Sequence, residues 1–196
     1  MKTFLSILLL AATTVFTACS NNNSTSKEVE TKSNDTTSQA TVNSNEPKKM
    51  GTVNEVISGY LDLKNALAND NGKKGANAAN EISAAIEKMD ESALTPEQKK
   101  VYSDVKDDIK EHAEHIGANS SNIAHQREHF DLLSKDVIDL VKATGSSKTL
   151  YMDFCPMYNN KKGASWLSET KEIKNPYFGS KMAGCGQVKE EIKAKG

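Results

Sequence analysis

The chain has 196 residues, with 25 Lys and Arg against 26 Asp and Glu and a formal net charge of −1. That balance excludes a strongly basic nucleic-acid binder, and no nucleic-acid partner is expected. The N-terminus reads as an export signal over residues 1–18. Lys2 supplies a positive start, an apolar run extends from Phe4 through Leu10 to Phe16, and small residues follow. The run is too short and too early for a comfortable membrane-spanning helix, and no other segment is apolar enough to cross a bilayer.

The sequence Phe16-Thr17-Ala18-Cys19 resembles the bacterial lipobox. The resemblance implies cleavage before Cys19, acylation of that cysteine, and a mature protein held to a membrane by lipid. The alternative is a plain cleaved signal that leaves Cys19 free. An exported domain meets an oxidising or metal-exposed compartment, where cysteines serve as disulfides or ligands. Setting Cys19 aside leaves two, Cys155 and Cys185.

Residues 19–50 are dominated by Asn, Ser, Thr, Lys and Glu, with the low-complexity run Asn21-Asn22-Asn23-Ser24-Thr25-Ser26. Such a stretch buries too little apolar surface to offset its ordering entropy, so it reads as a tether. About 145 residues remain, a length that suits one domain.

Residues 51–145 carry four helical stripes. The first runs Val53, Val56, Ile57, Tyr60, Leu61, Lys64, Leu67 and ends at the turn Asn69-Asp70-Asn71-Gly72. The second is Ala79, Ile82, Ala85, Ile86, Met89, whose alanines suggest a close helix approach. The third opens on Thr95-Pro96 with Gln98 completing a capping box, and its stripe is Val101, Val105, Ile109, His112, Ile116. Gly117 and Ser120-Ser121-Asn122 suggest a C-cap and a new N-cap. The fourth stripe is Ile123, Arg127, Phe130, Leu133, Val137, Val141, stopping at Gly145. One continuous helix over the last two stripes would fit the period but would run about 70 Å. A hairpin is therefore expected, and with it an all-α, antiparallel four-helix bundle.

Residues 146–196 change character. They are rich in Gly, aromatic residues and cysteine, and read as an irregular segment packed on the bundle in the same domain. Two short strands are expected around Leu150–Phe154 and Ala164–Leu167, with a short closing helix near Val188–Lys193.

All four histidines lie between positions 112 and 129. His112 and His115 share a face of the third helix, and His125 and His129 share a face of the fourth. A turn near residue 119 sets His115 opposite His125 and His112 near the level of His129. Imidazole nitrogen suits copper, zinc and nickel. The plainer alternative is a pair of helices with solvated histidines and His112 on the core stripe. Glu111, Glu114 and Glu128 flank the cluster, either orienting ring nitrogens or forming a solvated face. Arg127, on the apolar stripe, is expected to pair with an acid or to cap the irregular segment.

A second set is Cys155-Pro156-Met157 and Met182-Ala183-Gly184-Cys185. Soft thiolate and thioether ligands select Cu(I). The alternative is a Cys155–Cys185 disulfide, which in the chain-entropy account contributes roughly 3.6 kcal/mol for a loop of about 30 residues. No third group or oxyanion hole accompanies Cys155 and a histidine, so no catalytic role is expected. Only a subset of His112, His115, His125, His129, Cys155, Met157, Met182 and Cys185 could bind one ion. A mixed sulfur–histidine Cu(I) site and a separate histidine site for Cu(II) or zinc are both open.

The ordered run His125-Gln126-Arg127-Glu128-His129-Phe130, Leu133-Ser134, Cys155-Pro156-Met157, Trp166-Leu167-Ser168, Asn175-Pro176-Tyr177-Phe178-Gly179, Met182 and Cys185-Gly186 resembles the family called domain of unknown function 3347, over about residues 50 to 193. The resemblance implies an exported Bacteroidota lipoprotein, akin to domains attached to the adaptor subunits of copper and silver efflux pumps. It therefore implies heavy-metal handling and an efflux complex as partner. Cys-Pro-Met is also similar to the short heavy-metal motif of such pumps, with Phe154 and Tyr158 at positions where that motif has histidines. No acidic run follows Cys19, which by the same resemblance implies a periplasm-facing anchor.

Overall fold

The computed structural model describes residues 49–195, with side chains from residue 53 onward. The export signal, Cys19 and nearly all of the tether lie outside the described residues. Four long helices come first: α1 (Lys49–Ala68), α2 (Gly72–Glu87), α3 (Pro96–Ala118) and α4 (Ile123–Thr144). Each stripe read from the period lands on the core, with Val56, Tyr60, Leu67, Ala79, Ile82, Ile109, Ile116, Phe130, Leu133 and Val137 fully enclosed. No helix among the described residues is long and apolar enough to cross a membrane.

Short connections force sequential helices to run antiparallel. Side-chain pairs report the same directions. Tyr60 of α1 exchanges a 2.7 Å hydrogen bond with Ser134 of α4 and stacks on Phe130 at 5.3 Å. Tyr102 of α3 donates to the Ile86 carbonyl of α2 at 3.1 Å. Small residues let α1 and α2 approach closely: a Cβ on Gly59 would come within 2.9 Å of Ile82.

The capping box at α3 forms in full. Gln98 N–H donates to Thr95 Oγ1 at 3.3 Å, and Thr95 N–H donates to Gln98 Oε1 at 3.0 Å. The α3–α4 break falls where a hairpin was expected, and its N-cap comes from the expected Ser120-Ser121-Asn122 run, but its C-cap differs. The C-cap is Asn119, whose amide donates to the His115 carbonyl at 2.8 Å, and the N-cap is Asn122, which accepts from His125 N–H at 3.2 Å. Gly117 is not the cap. It lies inside α3, where a Cβ would collide with Asn80 of α2, so its role is interhelical clearance.

The C-terminal segment is more regular than its composition suggests. Strands β1 (Leu150–Cys155) and β2 (Ala164–Ser168) form as expected and pair antiparallel, with Asp153 opposite Trp166 and Cys155 opposite Ala164. The expected closing helix at Val188–Lys193 is instead a third strand, β3 (Gln187–Ile192), on the other edge of β1. Val188 and Ile192 are four apart and fit a helical turn locally. The open edge of β1 decides otherwise, because its backbone groups need partners. Between β1 and β2 the chain makes a left-handed turn through Asn159, Asn160 and Lys161, at φ 48°, 55° and 66°. The sheet docks on the bundle through buried Trp166 and Leu167. The Leu167 N–H donates to Tyr60 Oη at 3.2 Å, and Tyr177 packs between Trp166, Tyr158 and Phe130.

Candidate metal centre

Two helix periods and one turn bring the histidines together. The α3–α4 connection sets the two antiparallel helices in a register that places His112 beside His129 and His115 beside His125. One ligand nitrogen each from His115, His125 and His129 lies within 4.8 Å of the others. Ring centroids are 4.4 Å apart for His115–His129, 4.6 Å for His125–His129 and 6.3 Å for His115–His125. The three imidazoles form a cluster capable of coordinating a metal ion. His112 joins through His129, with Nδ1 to Nδ1 at 3.3 Å.

Electrostatics favour the metal-binding protonation state. His112 and His129 are partly buried, and desolvation holds both below the usual imidazole range. The neighbouring imidazoles push His129 further the same way, because a second positive charge in the cluster is disfavoured. Neutral imidazole is the form that binds a metal. Glu111 lies 3.9 Å from His115 and Glu128 lies 3.5 Å from His125, both carboxylates well exposed.

The sulfur residues separate into two kinds. Cys155, at the end of β1, is fully buried, and its Sγ lies 2.7 Å from Sγ of half-buried Cys185. Both are free thiols here. The contact with Cys155 and partial burial push the Cys185 thiol up to about 11. Met157 and Met182, by contrast, are 46 % and 40 % exposed. Among the described residues, the one convergent group of three or more His, Cys, Asp or Glu ligands holds histidines alone, so neither cysteine shares it.

Arg127 does both things its position suggested. Its Nη2 meets Asp70 Oδ1 at 2.6 Å and the Leu67 carbonyl at 2.8 Å, while Nε donates to the Pro176 carbonyl at 2.8 Å. Asp70, which also accepts from Ser180 N–H, is held well below the usual carboxylate range by these bonds. Residues that sequence reasoning passed over complete the frame. Gln126, buried between two histidines in sequence, donates to the carbonyls of Gly72 and Ile116 at 2.9 and 3.1 Å, tying the hairpin to the α1–α2 turn. A buried glutamine next to the cluster gives no periodic signal.

A helical bundle that gathers every histidine of the chain at one hairpin defines the class: a four-helix protein with a candidate imidazole metal centre. Residues 56–149 match the family model described as "Protein of unknown function (DUF3347)". The match spans most of α1 and all of α2 to α4, and stops before the Cys-Pro-Met and Asn-Pro-Tyr-Phe-Gly motifs. No curated protein and no solved structure matches the chain.

Proposed function

We propose that this protein is a lipid-anchored, periplasm-facing module of the cell envelope that binds a metal ion, copper first, and sequesters it or passes it to a heavy-metal efflux complex. One observation carries the reading: three histidine nitrogens within 4.8 Å of one another on two rigid helices. Imidazole accepts both copper and zinc, and the resemblance to domains on copper and silver adaptors puts copper first. Support for the envelope setting comes from the sequence before the tether, where Cys19 follows a signal-like run. Support for the efflux partner comes from the resemblance, over about residues 50 to 193, to a family akin to domains on copper and silver adaptors, and from the similarity of Cys155-Pro156-Met157 to the short heavy-metal motif of such pumps. The test is copper and zinc titration of the mature chain under anaerobic, reducing conditions, beside a variant with all four His→Ala changes. One tight equivalent is expected for the parent and none for the variant. No tight uptake of either ion by the parent overturns the reading.

A second reading has its own observation. The 2.7 Å approach of Cys155 and Cys185 suits a pair that closes to a disulfide in an oxidising compartment. The protein is then a non-catalytic interaction module whose C-terminal segment is stapled to its own β1. Thiol counting on protein isolated from the envelope distinguishes the two states. Two free thiols in that material count against the staple.

A further inference from the structure

We infer that His112 is not a ligand but a positioning residue, which fixes the tautomer and orientation of His129 so that His129 binds the ion through Nε2. The inference rests on the metal-binding reading of the histidine cluster. Its observation is the 3.3 Å approach of Nδ1 to Nδ1 between the two rings. Two imidazole nitrogens that close share one proton, one donating and the other accepting. With the proton on His129 Nδ1, the lone pair of His112 Nδ1 accepts it, and His112 carries its own proton on Nε2. His129 Nε2 is then the nitrogen left bare. This is the arrangement in which metal-ligating histidines donate their other N–H to a fixed acceptor, here an imidazole in place of the usual carboxylate or carbonyl.

Two further features agree. The convergent group contains His115, His125 and His129 but not His112. The His115 and His129 rings are parallel, 4° apart in plane at 4.4 Å. Lone pairs lying in two parallel planes do not converge on one point, so one ring must turn for both to bind one ion. The His115 side chain is 47 % exposed and meets only the exposed Glu111 at 3.9 Å besides the other rings, whereas His129 is held by His112. His129 is therefore the preformed anchor, and His115 is the ligand that swings in.

The experiment uses the mature chain labelled with ¹⁵N, together with His112→Gln and His112→Ala. Alanine is a strong helix former, and the site is half-buried, so both variants are expected to fold. Without metal, long-range ¹H–¹⁵N spectra of the parent should show His129 protonated at Nδ1 and bare at Nε2. His112→Gln supplies a carbonyl acceptor of similar reach and should keep that tautomer; His112→Ala should let it mix. With zinc, His112→Ala should weaken binding about 10- to 100-fold. His112→Gln should recover most of the loss, and X-ray absorption should count three imidazoles in all three proteins. A parent that counts four imidazoles, falling to three in His112→Ala, overturns the inference and makes His112 a ligand. A His129 protonated at Nε2 in the metal-free parent also overturns it. If the parent takes up no zinc or copper, the proposed function fails, while the metal-free tautomer still decides the role of His112.

Discussion

Asp153 is the residue whose surroundings least suit its charge. It is fully buried on β1, neither carboxylate oxygen finds a hydrogen-bond partner among the described residues, and opposite it the Trp166 Nε1 is also unpartnered. Burial pushes its carboxyl up to about 7, with nearby Lys64 offsetting part of the rise. Lys64 is itself buried and bound to Glu169 at 2.9 Å, so its charge is largely engaged. The raised value means that the folded state holds a proton the unfolded chain releases near pH 4. This contribution to stability is fully present below about pH 4 and is lost as pH rises through about 7. Asp153→Asn should therefore match the parent near pH 4 and exceed it by roughly 2–4 kcal/mol at pH 8. His112 and His129 act in the opposite sense. Their lowered values give stability that is present above the usual imidazole range and is lost as pH falls through it. That contribution is common to parent and variant and cancels in their difference. Urea unfolding at four pH values measures it, and a difference that does not change between pH 4 and pH 8 would show that Asp153 titrates normally.

Between elements, the C-terminal segment depends on Asn175. This buried side chain accepts from the N–H groups of Tyr177 and Phe178 at 2.8 and 3.0 Å and donates to the Cys185 carbonyl at 2.6 Å. It holds the loop that presents Cys185 to Cys155. Asn175→Ala removes the partner of one buried and two part-buried backbone groups and should cost about 2–4 kcal/mol. It should also speed the reaction of Cys185 with a thiol reagent, read by mass spectrometry in the folded protein; unchanged reactivity would detach Asn175 from the cysteine pair. The helices were legible because their information is local: each segment carries a 3.6-residue period, α3 opens on a capping box, and α4 stops at Gly145. The histidine cluster was legible for the same reason, since two adjacent helices and one turn fix it. The strand at Gln187–Ile192 was not, because nothing within those six residues reports the edge of β1, whose paired residues, Leu150 to Phe154, lie far earlier in the chain. Lys64 shows the limit most sharply. It fitted an apolar stripe, and its partner Glu169 lies just past the end of β2, beyond the reach of any pattern in α1.

Across the whole molecule, Arg127 joins the parts that the histidine hairpin leaves independent. From α4 it reaches the end of α1, the α1–α2 turn and the Pro176 carbonyl at once, and its side chain is only 12 % exposed. The histidines next to it in sequence project from a different side of α4, toward α3, since 100° per residue turns Arg127 well away from both His125 and His129. The frame and the candidate metal centre are therefore separable. Arg127→Ala removes three hydrogen bonds, one to a carboxylate, and should lower unfolding stability by about 2–3 kcal/mol. Arg127→Lys should recover little, because one ammonium cannot reproduce the fixed fork that meets two carbonyls and Asp70 together. Below its lowered melting point, Arg127→Ala should still bind one equivalent of copper or zinc, because α3 and α4 carry all three histidines of the candidate cluster. A saturating ion at a hundred times its dissociation constant adds about 2.7 kcal/mol to whichever folded state binds it. Metal should thus raise the melting temperature of the parent and of Arg127→Ala alike, as calorimetry with and without zinc would measure. An Arg127→Ala protein that keeps its helical circular dichroism but gains nothing from zinc would show that the C-terminal segment, and not the hairpin alone, builds the site.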